Sequence, residues 1–509
     1  MKFKAYTTKD GYELLYTGNP DLSMLDTLAE DPGDCWHSSF EQGYKNAFQE
    51  LSYQTRTAWW YINDFDNLNK CVSWRINPHA FVIRKSVWEL SNGFDTDFES
   101  PEMQGLALGY DLIWNGGIPL YVKGLFNSSE KKFENLPVKD QYIFFRKKFI
   151  PEHSTYMLFR KGIWKLNEIT AFIHAKKHFK KEPPRFIVAP RPLQPIQGKP
   201  TVSYIIPTMM RQEFTEQLLD DLAAQSYQPS QVIVVDATPE NERSLKAYHK
   251  SYPFELIVKW QTSKGSCRAR NEAIAMCTGE YIVFGDDDIR IPPNFIENHI
   301  RLLQTYQAGA CNGWDVRADH QQQTLDDLYQ KQKENPIANQ TGLTNNFSNA
   351  NSCVKREYVN LLIGNDVNYD GGYGEDGDFG MSLCKKGVIV LFNPYSANLH
   401  LKPTAGGYRW WGSQAKLLGK KRKSQPWELG VPVKWIRPVP SPTIMYSNYK
   451  QYNEVQRREF KYKYLLYTVI KGSKAGMLWR LIKLPYRILQ YNRSEFYAKR
   501  LIARGIQYA

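Results

Sequence analysis

The chain reads as an α/β protein with a parallel sheet at its centre, a diverged α/β unit before it and a mainly helical extension after it. Three observations predict this. Between residues 201 and 284, short β-branched and aromatic runs alternate with segments of helical periodicity, the pattern of strand–helix–strand units. Three of the runs close on polar or acidic turns: Ile205-Ile206-Pro207-Thr208, Val234-Val235-Asp236 and Phe284-Gly285-Asp286-Asp287-Asp288. In open parallel sheets, ligands bind beyond such carboxyl strand ends. Finally, Pro183, Pro184, Pro190, Pro192, Pro195 and Pro200 precede the first run, and proline at that density favours an extended linker.

The bulk numbers exclude several classes. At 509 residues the chain holds two to four domains. With 42% hydrophobic and 23% charged residues it is ordinary globular protein rather than disordered. No apolar run approaches the roughly 20 residues that span a bilayer, and the first residues show no signal-peptide core, so a cytoplasmic location is expected. The seven cysteines are scattered without a CxxC pair, which indicates neither a disulfide framework nor a zinc cluster. Aromatics reach 14%, which suits sugar platforms and large cores alike. Net charge is +14, but residues 410–509 hold 21 Lys or Arg against four acids, a net +17 that leaves −3 for the rest.

Taken in order, residues 1–125 form a first unit. Arg84 to Gly93, Gly109-Tyr110-Asp111 and Gly116-Gly117-Ile118 follow the same order and character as Lys355 to Gly364, Gly377-Asp378-Phe379 and Gly387-Val388-Ile389. This predicts a weak internal repeat, the first unit being a diverged copy of the later domain's rear half. Its Asp64 and Asp66 have DxD spacing, but the preceding stretch lacks a matching strand. The unit is expected to have no donor site and to be structural or to bind acceptor. Residues 126–200 read as a helical segment and linker, and 201–409 as the catalytic domain. In that domain 214–225 and 240–249 read as helices, and 231–236 and 256–258 as strands. Residues 410–509 read as a basic helical extension.

The central segment is organised around Gly279-Glu280-Tyr281-Ile282-Val283-Phe284-Gly285-Asp286-Asp287-Asp288. Three adjacent carboxylates repel, and burying them unpaired is costly. They belong at a strand end, facing water or a cation. An acidic turn is the plain alternative, since Asp is common in turns. The sharper reading is a Mn²⁺ or Mg²⁺ site holding a nucleoside diphosphate, because these ions take hard oxygen ligands and bridge carboxylates to phosphates.

Those landmarks, with Arg268-Ala269-Arg270-Asn271 leading into the acidic strand, are similar to family 2 glycosyltransferases of the GT-A (Rossmann-like) nucleotide-sugar-binding fold. The resemblance covers about two-fifths of the chain. Gly371-Gly372-Tyr373-Gly374-Glu375-Asp376-Gly377-Asp378-Phe379-Gly380 resembles the acceptor-side motif of inverting GT-A enzymes, chondroitin-polymerase-like and β4-galactosyltransferase-like sequences among them. There the Asp after Glu is the general base. His400, ahead of Gly406-Gly407-Tyr408-Arg409, stands where many GT-A enzymes complete their metal site with a histidine. One departure is Asp236-Ala237-Thr238-Pro239, where the family usually has two acids; Asp236 alone must then hold the base.

The resemblance implies an inverting, metal-dependent transfer of sugar from a nucleoside diphosphate to a hydroxyl of a glycan or lipid-linked glycan, in surface polysaccharide or glycolipid synthesis. It implies Mn²⁺ or Mg²⁺ held by Asp288 with Asp286 and His400. Asp287 or Asp286 would approach the donor ribose. Pro207, Thr208 and Asp236 would meet the nucleotide, and Arg268 or Lys264 would offset phosphate charge. Asp376 would be the base and Glu375 would bind an acceptor hydroxyl, while acids at a helix N-terminus also suit its dipole. Trp314 and Tyr373 are candidate sugar platforms, and each fits core packing equally.

In the extension, Lys420-Lys421-Arg422-Lys423 and an apolar stretch interleaved with Arg480, Lys483 and Arg487 suit an amphipathic helix on an anionic membrane, at the inner face of the cell membrane. A solvated extension packed on the body is the alternative. Nucleic acid is not expected, since no binding motif accompanies the charge. Two other readings are a bifunctional polymerase with both units active, against which the missing acidic strand argues, and a catalytically dead GT-A scaffold, against which the retained acids and His400 argue. The sequence assigns no donor sugar, base or oligomeric state.

Overall fold

The computed structural model describes residues 3–49, 63–244, 247–335, 340–401, 403, 406–408, 424–473 and 475–509. It divides into two compact units, one running to residue 191 with the segment 340–343, the other comprising 192–339 and 344–509.

In the first unit, β1 (Lys4–Thr7), β2 (Glu13–Tyr16), β3 (Cys35–His37), β4 (Lys70–Val72), β5 (Phe81–Arg84) and β6 (Pro119–Val122) form one sheet in the order β1-β2-β5-β3-β6-β4. Only β3 and β6 are parallel. Helix Pro101–Trp114 starts on Ser100, whose side chain accepts the Met103 N–H, with Pro101 in its first turn; both are start signals. A Cβ on Gly109 would lie 1.9 Å from the Trp74 carbonyl oxygen, so glycine is what lets this helix lie on that backbone. Cys35, Phe81, Ile83, Leu108 and Leu112 make the core with Phe186 and Val188. Helices Val138–Lys148, Pro151–Lys161 and Leu166–His178 pack in this same unit through buried Tyr142, Phe144 and Phe145, and the proline-rich run straddles the boundary.

In the second unit, β7 (Val202–Thr208), β8 (Gln231–Asp236), β9 (Glu255–Trp260), β10 (Tyr281–Gly285), β11 (Ile289–Arg290), β12 (Ala310–Arg317), β13 (Asn351–Lys355) and β14 (Val390–His400) follow the order β11-β14-β12-β13-β10-β7-β8-β9. Strands β10, β7, β8 and β9 are mutually parallel. The side chains of Ile205, Ile206, Val232 to Val235 and Ile282 to Phe284 are fully buried, which is why these strands read as unbroken apolar runs. The α/β class expected from the sequence is the one observed.

The two sheets share a substructure. β3 is antiparallel to β5 and parallel to β6, as β12 is to β13 and β14. β5 and β13 each run directly into a seven-residue helix, Lys85–Ser91 and Arg356–Leu362. Each of these helices is followed by a left-handed residue, Asn92 or Ile363, and a positive-φ glycine, Gly93 or Gly364.

The helix expected over 240–249 does not form among the described residues: Glu240–Glu242 is one 3₁₀ turn, and Tyr248 has φ 63°. Tyr248 is instead drawn inward, its hydroxyl donating to Asp236 at 2.9 Å and its N–H to Glu216 at 3.0 Å. Tertiary bonds outweigh local propensity there. The extension is helical at Pro442–Gln451, Glu454–Ile470, Met477–Ile482 and Leu484–Arg504. It packs on the α/β body: Met445, Tyr446, Tyr491, Tyr497 and Leu501 share one buried cluster with Cys267 and Tyr369. Tyr61, Ile62, Arg409, Trp410 and the run Lys420-Lys421-Arg422-Lys423 lie outside the described residues.

Candidate active site

Strand β10 ends at Gly285, and Asp286, Asp287 and Asp288 follow at the carboxyl end of the parallel strands. The short β11 then pairs with β14, Ile289 opposite His400. That register brings His400 Nε2 to 3.1 Å from Asp288 Oδ1. The other ring nitrogen lies 2.9 Å from Asp315 Oδ1, and Asp315 also accepts from Asn398 at 2.9 Å and pairs with Arg317 at 3.0 Å. Burial alone would lower the imidazole pKa. The hydrogen bonds to Asp288 and Asp315 outweigh it and push it up to about 10. Burial likewise opposes the charge on Asp288 and Asp315, yet the same bonds hold both carboxyls below the ordinary range.

Asp287 is locked from both sides. One oxygen meets Arg211 at 3.0 Å and the other accepts from Thr208 at 2.8 Å. Burial nevertheless raises its pKa to about 7. Arg211 also reaches Asp288 at 2.8 Å. Asp286 is half-buried and pairs with Arg270 at 2.5 Å. Arg270 is buried, and its Nε and Nη1 have no partner among the described residues. One donor atom each from Asp286, Asp288 and His400 lie within 4.8 Å of one another, the only such acid or histidine group among the described residues.

Facing this cluster is the start of helix Glu375–Lys385, entered through Gly374 at φ 111°, a conformation that favours glycine. Asp376 Oδ1 accepts two bonds from Asn349, at 3.1 Å from the N–H and 2.6 Å from Nδ2. Burial, then the neighbouring Glu375 charge, raises the Asp376 pKa to about 7. A cleft of about 490 Å³ lies between the two acidic sets and is lined by Asp286, Asp287, Asp288, Glu375, Asp376 and His400, with Pro207, Arg211, Arg270, Tyr373 and Tyr408. That volume suits a small-molecule ligand.

Other expected residues stand elsewhere. Asp236 is fully engaged: one oxygen accepts from the Thr238 N–H and hydroxyl, the other from Tyr248 at 2.9 Å and Gln212 at 3.3 Å. Lys264 is exposed and Arg268 half-buried, and neither lines the cleft. Trp314 packs on the Val316, Ala397 and Leu399 cluster. Tyr373 lines the cleft and is 49% exposed. Sequence reasoning missed Arg211, Asp315 and Asn349. Alternation along β12 does put Asp315 and Arg317 on one face, but the pairing of Asp315 with His400 needs the β12–β14 register, which no local signal carries.

Residues 203–359 match the family described as Glycosyl transferase family 2. WcaA of Escherichia coli (strain K12), a colanic acid biosynthesis glycosyl transferase by name, is 29% identical over 101 residues, 19% of this chain and 36% of that protein. The uncharacterized glycosyltransferase YwdF of Bacillus subtilis (strain 168) is 26% identical over 104 residues, 20% of this chain and 38% of its own. The chain therefore spans little more than a third of the length of these relatives. The mannosyltransferase PcManGT from Pyrobaculum calidifontis, solved with GDP-Man and Mn²⁺, is similar over 61% of this chain and 89% of its own, at 20% identity and a TM-score of 0.37. With the family match spanning the acidic strand and most of the second sheet, the chain contains a glycosyl transferase family 2 domain.

Proposed function

We propose that the chain is an inverting, metal-dependent glycosyltransferase that moves a sugar from a nucleoside diphosphate to a hydroxyl of a glycan or lipid-linked glycan, in surface polysaccharide or glycolipid synthesis at the inner face of the cell membrane. One observation carries the reading: a single cleft has Asp286, Asp288 and His400 on one side and Glu375 with Asp376 on the other. The first set offers two carboxylates and an imidazole, a donor set that fits Mn²⁺ or Mg²⁺. Such an ion, when bound, neutralises the charge that develops on a leaving diphosphate.

The chain's own groups do the rest. Asp315 fixes the orientation of His400 through the second ring nitrogen. Arg270, with two buried N–H groups unmatched and Asp286 alongside, is suited to diphosphate oxygens, a role fitted better by its place in the cleft than by Arg268 or Lys264. Asp376 takes the proton from the acceptor hydroxyl as that oxygen bonds to the anomeric carbon. The bond from that carbon to the diphosphate breaks on the opposite face, so configuration inverts. Glu375 orients the acceptor and Tyr373 offers it a ring face. Because Asp236 is saturated by Thr238 and Tyr248, no free Asp236 carboxylate is left to hold the base. The direct test is a donor screen with purified protein and Mn²⁺, read as nucleoside diphosphate released. Turnover of no nucleotide sugar would overturn the reading.

The first unit has no donor site in this proposal. Its Asp64 is buried in an ion pair with Arg75 at 3.0 Å, and also accepts from Asn46 and Ser73 at 2.8 Å. Asp66 pairs with Lys45. Asp64→Asn removes the carboxylate that pairs with buried Arg75 and is therefore expected to cost about 3–5 kcal/mol of stability, with nucleotide affinity unchanged. Denaturant unfolding and calorimetry read the two effects, and lost nucleotide binding at full stability would overturn the absence of a donor site there.

A further inference from the structure

The helical extension has a face that neither its packing nor the cleft uses. Helix Leu484–Arg504 buries Tyr491, Tyr497, Ala498 and Leu501 in the second unit's core. Away from that core, Leu478 is 69% exposed, Trp479 59% and Ile482 62%, with Met477, Leu481 and Leu489 also exposed. Apolar side chains gathered at that density on a surface mark an interaction site. Arg480 donates to the Val469 carbonyl at 2.6 Å and the Ser473 carbonyl at 2.7 Å, which fixes the turn between the two helices that flank them.

Charge selects the partner. Residues 460–494 contain eight Lys or Arg and no Asp or Glu. Lys471 and Lys483 are exposed, and Lys483 sits 4.7 Å from the Trp479 ring centre. A second copy of this face would bring like charge against like charge. A surface of anionic lipid meets both properties, taking apolar side chains into the headgroup–acyl boundary while lipid phosphates meet the lysines. Among the described residues no helix is long and apolar enough to cross a membrane.

We propose that Met477–Ile482 and the start of Leu484–Arg504 form a docking surface for anionic membrane, with Leu478, Trp479 and Ile482 inserted and Lys471, Lys483 and Arg487 at the phosphates. The inference deepens, and takes its purpose from, the reading of a lipid-linked acceptor, yet its test needs no acceptor. The full chain is sedimented with vesicles of phosphatidylcholine, alone or mixed with phosphatidylglycerol, at low and high salt. Binding is expected only to the mixed vesicles and to weaken with salt. The triple variant Leu478→Ser/Trp479→Ser/Ile482→Ser and the double variant Lys483→Glu/Arg487→Glu should each bind at least tenfold more weakly. Circular dichroism and nucleotide affinity should stay as in the parent, since none of these side chains is buried or near the cleft.

Equal pelleting with neutral vesicles, or a triple variant that binds like the parent, would overturn the docking surface. So would a parent dimer that the triple variant disperses in gel filtration, because the face would then belong to a second copy. A chain that docks normally yet turns over no nucleotide sugar would refute the enzymatic reading and leave the docking surface standing.

Discussion

Asp288→Ala should abolish divalent-cation-dependent binding of nucleotide sugar and lower transfer by at least about 10³-fold, roughly 4 kcal/mol. The substitution removes the carboxylate that His400 and Arg211 both reach. It leaves His400 with Asp315 and Arg211 with Asp287, so each cation keeps an opposite charge and the fold should survive. Calorimetry with and without Mn²⁺, beside a thermal melt, separates loss of the site from loss of the protein. Tight nucleotide binding by this variant, insensitive to cation removal, would sink the metal assignment. By the same geometry, the affinity of this set for a cation should depend on pH. The His400 proton, held up to about 10 by its two carboxylate partners, must leave before the ring can ligate a cation. Affinity should then rise by about tenfold per pH unit below that value, for one proton released. Asp315→Asn lowers the imidazole pKa but also loosens the ring, and by the usual weight of an outer partner it should cost 10–100-fold in affinity at pH values where the ring is already neutral.

What was legible in the sequence follows from how local each signal is. The parallel strands were readable because residues such as Val232 to Val235 are buried on both faces and so form continuous apolar runs. The acidic strand end was readable because three like charges in a row need a special place. The pairings within the site were not. Arg211 looks like any turn arginine until β7 and β10 lie side by side, which brings it onto Asp287 and Asp288. Asp236 looks like a free strand-end acid until Tyr248 folds back on it, and with Tyr248 at φ 63° the helix expected over 240–249 does not form among the described residues. The extension shows the same division. Its basic and apolar pattern was plain in sequence, but which residues face the core was not. Tyr491 and Tyr497 are buried while Trp479 is open, because the core they join is completed by Cys267 and Tyr369, far away in sequence.

Asp376→Asn should lower kcat by about 10²–10⁴-fold with donor affinity nearly unchanged, the mark of an interaction needed in the transition state more than in the bound substrate. The replacement keeps the shape and still accepts from Asn349, whose two bonds both go to Oδ1. It loses only the basicity at the other position. The parent's pH profile supplies an independent check. Burial, with Glu375 adding to it, raises the Asp376 pKa to about 7, and a raised carboxyl pKa means that the proton is retained up to near-neutral pH. Only the deprotonated form can act as base, so kcat should fall about tenfold per unit as pH drops below 7. Glu375→Gln removes the neighbouring charge that helps raise the value. It should therefore shift that acid limb to lower pH and raise the acceptor KM, with a smaller loss of kcat than Asp376→Asn. A robustly active Asp376→Asn beside a dead Glu375→Gln, or an acid limb that Glu375→Gln leaves in place, would mean that the two carboxylates hold each other's roles.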